Sequence, residues 1–124
     1  MYRALAVRLN YLALDRPDIQ FATKEIARQM AAPTAGNWIL MKRMARYLLG
    51  SPRLVQVFRW QSPLGALSTY SDSDWAGDMA TRKSTSGGIA FLGAHCIKSW
   101  SSNQTIIALS SAEADLHALL EGAS

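Results

Sequence analysis

The chain has 124 residues, 49% of them hydrophobic and 18% charged, which suits one packed core and argues against intrinsic disorder. No apolar run nears the ~20 residues of a membrane-spanning helix, and the single cysteine, Cys96, excludes an internal disulfide and a cysteine-rich zinc cage. The net charge of +4 is uneven: residues 1–60 hold ten bases and three acids, residues 61–124 three bases and six acids. That split fits either a nucleic-acid platform joined to a unit that uses carboxylates or chance clustering on two solvated surfaces.

The first half reads as three helices, over roughly 3–13, 17–31 and 35–49. Leu5, Leu9 and Leu12 share one face of the first at helical spacing. It opens directly on Met1-Tyr2-Arg3 with no start signal, as expected of a segment cut from a longer chain. The second starts at Asp15-Arg16-Pro17-Asp18, with Asp15 as the capping residue and a proline in the first turn. Ile19, Ala22, Ile26 and Met30 make its buried stripe. The third follows Pro33-Thr34, with Trp38, Met41, Ala45 and Leu48 as its apolar face. Gly50 is expected to end it in a left-handed cap before Ser51-Pro52. Lys42, Arg43 and Arg46 gather on another face, at spacings that let them track a phosphate backbone or simply face water.

From Arg53 the pattern alternates and predicts strands. The first is 54–60, then a turn at Ser62-Pro63-Leu64-Gly65. Further strands are expected over 66–73, 88–92, 96–100 and 105–109, with a last helix from about 111. Ser110-Ser111-Ala112-Glu113 reads as its capping box. His95 is expected in a solvent-facing hairpin loop, and His117 to pair with Glu113 across one turn.

Chemistry concentrates in the second half. Asp72 and Asp74 lie two apart at a strand end, so both point to one side of the sheet. Paired carboxylates there suit a hard cation such as Mg²⁺, or serve as an acidic turn. Asp115 sits inside an apolar helical run, where aspartate is a poor helix former. No Gly-x-Ser-x-Gly elbow or phosphate-cradling glycine loop is present.

Several long strings then acquire a common reading. Tyr70-Ser71-Asp72-Ser73-Asp74-Trp75-Ala76-Gly77-Asp78, Arg82-Lys83-Ser84-Thr85-Ser86-Gly87 and Ala108-Leu109-Ser110-Ser111-Ala112-Glu113-Ala114 resemble, in order and wording, the ribonuclease H region of copia-type retrotransposon polyproteins. Tyr11-Leu12-Ala13-Leu14-Asp15-Arg16-Pro17-Asp18-Ile19 and Met44-Ala45-Arg46-Tyr47-Leu48-Leu49-Gly50 resemble the segment that joins the reverse transcriptase core to it.

The resemblance implies an α+β fold: N-terminal helices, then the antiparallel part of a ribonuclease H-like mixed sheet with one following helix. It divides the chain into a helical connection tail over 1–60 with a final strand, and the first part of a ribonuclease H-like domain over 61–124. It implies cleavage of RNA in RNA–DNA hybrids by two-metal hydrolysis, with two Mg²⁺ ions, or Mn²⁺ in their place. Asp72 matches the first catalytic and metal-binding carboxylate, and Asp115 the second. The implied partners are an RNA–DNA hybrid or other nucleic acid and the rest of the reverse transcriptase polyprotein, with no membrane; the charge and spacing of Lys42, Arg43 and Arg46 make them the expected nucleic-acid contacts. The implied setting is intracellular: cytoplasm, virus-like particle or nucleus.

The sequence departs from the pattern at three points. The family has glutamate where Asp115 stands, usually an aromatic residue at Gly88, and later carboxylates where this chain offers only Glu121 on the same helix. A non-catalytic nucleic-acid-binding module, or a decayed element fragment, is the competing expectation.

Overall fold

Residues 1–62 and 66–124 are described by a computed structural model of the protein, so the turn expected at 62–65 falls largely outside the described residues. They form two compact units, Met1–Val57 and Phe58–Ser124.

The first unit is helical. α1 spans Tyr2–Leu12, a 3-10 turn Pro17–Ile19 leads into α2 over Gln20–Arg28, and α3 spans Ala35–Gly50. Its core is Tyr2, Ala6, Leu9, Ala13, Ile19, Ile26, Met41 and Met44, with Leu5, Met30, Trp38 and Leu48 packed against it. The stripe of α1 is therefore rotated from the expected one: Leu12 is exposed, while Ala6 and Ala13 are buried. Small residues let the backbone approach its neighbours closely, and side-chain size alone does not say which face does so. Tyr2 fixes that approach. Its hydroxyl donates to the Ile26 carbonyl at 2.9 Å, and its ring meets Trp38 edge-on at 5.3 Å.

Two expected helix ends change, and one holds. Asp15 caps nothing: Arg16 is the N-cap residue, without a side-chain cap bond. The guanidinium of Arg16 instead grips Asp18 through two hydrogen bonds, 2.9 and 2.7 Å, and donates to the Ser51 carbonyl at 3.0 Å. α3 begins with a capping box of Thr34 and Asn37. It ends at Gly50, which is the last helical residue rather than a left-handed cap, and Ser51 closes it.

The second unit is a three-stranded antiparallel sheet, β1 Leu67–Asp74, β2 Thr85–Leu92 and β3 His95–Asn103, in that order, with α4 over Ser111–Ala123 packed on one face. This is the expected α+β arrangement. Two expected strands are absent: 54–60 and 105–109 have no regular structure. Alternation says only that a segment would suit a sheet; a strand also needs a neighbour to bond with, and neither segment pairs. Part of the first segment serves the β2–β3 hairpin instead. Phe58 packs edge-on against His95 at 5.2 Å. Gln61 donates to the Leu92 carbonyl at 2.8 Å and accepts from the Ala94 amide at 3.0 Å. His95 is thus half-buried and partnered, not a free loop residue. Gly93 takes the left-handed conformation that the turn requires, φ 62°.

The register settles which side chains face α4. In an antiparallel pair, directly opposed residues share a face. Ser71, Gly88 and Trp100 are opposed across the three strands, as are Ser73, Ser86 and Ser102. Trp100 crosses the surface of Gly88 and reaches Gly122 of α4. Ser102 donates to Glu121 of α4, and Gln104 binds both Ser86 and the Ala114 carbonyl. The odd-numbered residues of β1 therefore face the helix. The even-numbered ones share the open face, where Tyr70 meets Phe91 edge-on at 6.2 Å.

Candidate functional site

Asp115 lies near the start of α4, positioned by the cap at Ser110, whose hydroxyl accepts from the Glu113 amide at 3.2 Å. Glu113 completes the cap one residue further back than a standard box: its carboxylate accepts from the Leu109 amide at 2.7 Å. That bond takes Glu113 away from the expected pair with His117. The Asp115 carboxylate accepts a hydrogen bond from Ser73 at 2.5 Å.

Asp72, next to Ser73, belongs to the opposite set. Successive residues of a strand point to opposite faces, so Asp72 shares the open face with Tyr70 and Asp74. Asp72, Asp74 and Asp115 are all exposed. The Asp74 carboxylate lies against the backbone at Gly77, where a methyl group would sit 1.8 Å from its oxygen. A hard divalent ion needs several oxygen ligands converging at about 2 Å. Here one carboxylate is engaged by a serine on the helix side and the other projects from the far face. Among the described residues, no three His, Cys, Asp or Glu side chains gather to hold a metal. The residues in this arrangement do not fit a two-ion site.

The basic face is different. Lys42, Arg43 and Arg46 are exposed along α3. The ion pairs of this unit use other partners: Asp18 with Arg16, and Glu25 with Lys24 and Arg28. Asp18 is further held by the Tyr47 hydroxyl, which donates at 2.8 Å. The Arg16 hydrogen bond is the main reason that the Asp18 carboxyl titrates at about 2. The same carboxylate raises the Tyr47 phenol above its usual value. Two of the unit's three acids are thus neutralised locally, and the three cations of α3 remain available to an outside anion.

Beside them, α2 and α3 enclose an open groove of about 530 Å³ that Arg43 lines. Its walls include Phe21, Leu40 and Tyr47, which stay 59%, 39% and 45% exposed. Sequence reasoning singled out the cations and missed the aromatics. Phe21 lies off the Ile19–Ile26 stripe, and that was the available signal: an aromatic residue outside the core face of a short helix.

Compared with known proteins, the chain is 40% identical over 124 residues to the retrovirus-related Pol polyprotein from transposon RE2 of Arabidopsis thaliana, a match covering 99% of this chain and 8% of that protein. It is 38% identical over 119 residues to an uncharacterized mitochondrial protein of Arabidopsis thaliana, covering 95% of this chain and 49% of the relative. It is 33% identical over 118 residues to secreted RxLR effector protein 161 of Plasmopara viticola, covering 95% and 82% respectively. No family model and no solved structure matches it.

Proposed function

We propose that this chain, which is 40% identical to a retrovirus-related Pol polyprotein and spans 8% of its length, is a segment of a copia-type transposon polyprotein that holds nucleic acid without cutting it unaided. The observation that carries this reading is the basic face of α3, whose three cations join no ion pair among the described residues. Lys42, Arg43 and Arg46 stand exposed while Asp18 and Glu25 are bound to other cations. Each cation that meets a phosphate releases a condensed counterion, so affinity should fall steeply with salt. The test is fluorescence anisotropy of a labelled RNA–DNA hybrid between 50 and 200 mM salt, on the order of the range where such slopes are read. Changing all three residues to alanine should flatten the slope of log affinity against log salt by about 2–3. An unchanged slope would make the face merely solvated.

A second reading, a ribonuclease H-like unit, is favoured by one arrangement. Asp72 stands on the first strand of an antiparallel sheet, and Asp115 on the helix that follows its third. Asp115 is engaged by Ser73 on the helix side while Asp72 lies on the open face, which is why this reading stands second. We expect no useful cleavage of a hybrid in Mg²⁺ or Mn²⁺ by the chain alone. Robust cleavage lost in Asp72→Asn would reverse the order of the two readings.

A further inference from the structure

We infer that the groove between α2 and α3 receives an unpaired base of a single-stranded nucleic acid whose phosphates lie on Lys42, Arg43 and Arg46; the inference rests on the nucleic-acid reading above and adds a stacking site to it.

The groove and the basic face meet at Arg43, which belongs to both. Its walls combine aliphatic and aromatic groups that remain exposed: Phe21, Leu40 and Tyr47. Exposed aromatics cost free energy in water unless something flat and apolar covers them. Tyr47 is not free to fold away, because its hydroxyl is tied to Asp18. Phe21 has one ring face under the Lys24 ammonium, 4.8 Å from the centroid, so the ring retains one face for stacking.

Charge complementarity selects the occupant. The unit holds nine bases and three acids. The two acids lining the groove, Asp18 and Glu25, are already paired with Arg16, Lys24 and Arg28. What remains at the mouth is cationic and aromatic. A single strand supplies the complement in one molecule: a phosphate for each cation, and a π-face on every base. Lys42 and Arg46 are one helical turn apart on the side of α3 adjoining Arg43, so a backbone tracking them passes the groove. The aromatic walls place the selectivity at the base plane, which predicts tolerance of sequence and discrimination against strands without bases.

The test uses the full chain, a twelve-nucleotide single strand carrying 2-aminopurine, and an abasic strand with the same number of phosphates. The wild-type protein should bind the base-bearing strand about tenfold more tightly and quench its fluorescence, since stacking contributes on the order of 1–3 kcal/mol per base. Phe21→Ala should remove the difference and the quenching, leaving abasic affinity and the salt slope unchanged. Phe21 is 59% exposed, so its truncation spares the core, which circular dichroism checks. Phe21→Leu keeps apolar bulk without a π-face and should behave like the alanine variant. Equal affinity of the wild type for both strands, with a normal salt slope, overturns the groove and leaves the basic face intact. Absence of salt-dependent binding to either strand overturns both. Tight binding of an amphipathic helical peptide that Phe21→Leu preserves, without discrimination between the strands, overturns the base in favour of a protein helix.

Discussion

Two adjacent glycines of β2 should respond to alanine with opposite signs. A methyl carbon at Gly88 would lie 2.0, 2.4 and 2.5 Å from Cζ2, Cε2 and Cη2 of Trp100. Ordinary contact starts at 3.4 Å, so the indole must retreat by more than an ångström. It has little room. On its other side a methyl at Gly122 of α4 would already stand 3.4 Å from Cζ2. Overpacking of this kind costs about 1–3 kcal/mol, and removing a strand glycine returns roughly 0.5, for a net loss of about 1–2 kcal/mol. For a unit of this size that is a fall in melting temperature of roughly 5–15 °C. A methyl at Gly87 meets nothing within 4 Å, so Gly87→Ala should raise the melting temperature by a few degrees, on the order of 0.5 kcal/mol. Thermal and urea melts followed by tryptophan fluorescence read both. Adding Trp100→Leu should make Gly88→Ala tolerable, with a coupling of at least ~1 kcal/mol in a double-mutant cycle. If instead Gly88→Ala stabilises and Gly87→Ala destabilises, α4 covers the other face. Asp72, not Ser73, would then face Asp115, and the separation of the two carboxylates would be wrong.

Acid should loosen the helical unit through Asp18. Its folded-state carboxyl titrates at about 2, below the ordinary 3.8, held there first by the Arg16 hydrogen bond. A depressed value adds stability that is complete above pH ~4 and is lost as the pH falls through about 2. Solvent screening of this partly exposed pair keeps the effect to about 1 kcal/mol. Melts at pH 5, 3 and 2, on the order of the window set by that linkage, should show the loss in the wild type and a flatter profile in Asp18→Asn; identical profiles would remove Asp18 from the account. Gln104→Ala should lower the urea midpoint of the sheet unit. It removes hydrogen bonds of 3.0 Å to Ser86 and 2.8 Å to the Ala114 carbonyl in a buried place, about 1–3 kcal/mol. A variant as stable as the wild type would mean that water replaces the amide at no cost.

The helices were legible because their hydrogen bonds are local and their apolar period is strong. Which residues of each period reach the core was less legible. Thr23 and Met44 are buried where Ala22 and Ala45 were expected, because helix rotation is fixed by neighbours distant in sequence. Arg16 shows the same limit: a start signal at Asp15 is local, whereas the pull of Asp18 and of the Ser51 carbonyl comes from packing. Strand readings failed for a related reason. Residues 54–60 alternate as well as β1 does, but alternation carries no information on whether a partner edge exists. At the sites, the α3 cations could be found from charge and spacing alone. The serine that engages Asp115 could not, since nothing in its type distinguishes Ser73 from Ser71.

The same period of two decides the fate of the carboxylates. Moving β1 by one residue along β2 would turn Asp72 toward α4 and Ser73 away from it. The observed pairing runs without a break from Leu67 opposite Leu92 to Asp74 opposite Thr85. A slip would put Tyr70 beneath the helix, where Thr69 now stands within 3.2 Å of the methyl position of Gly122. A phenol ring does not fit a gap that a threonine methyl already fills, and overpacking there would cost about as much as at Gly88. The small side chains of β1, Thr69, Ser71 and Ser73, are therefore what admits α4 so close to the sheet. Close packing on that face and a carboxylate at Asp72 on the other are one consequence of one register. To bring Asp72 and Asp115 together, the strand would have to exchange its small face for its large one, and α4 would have to move outward with it.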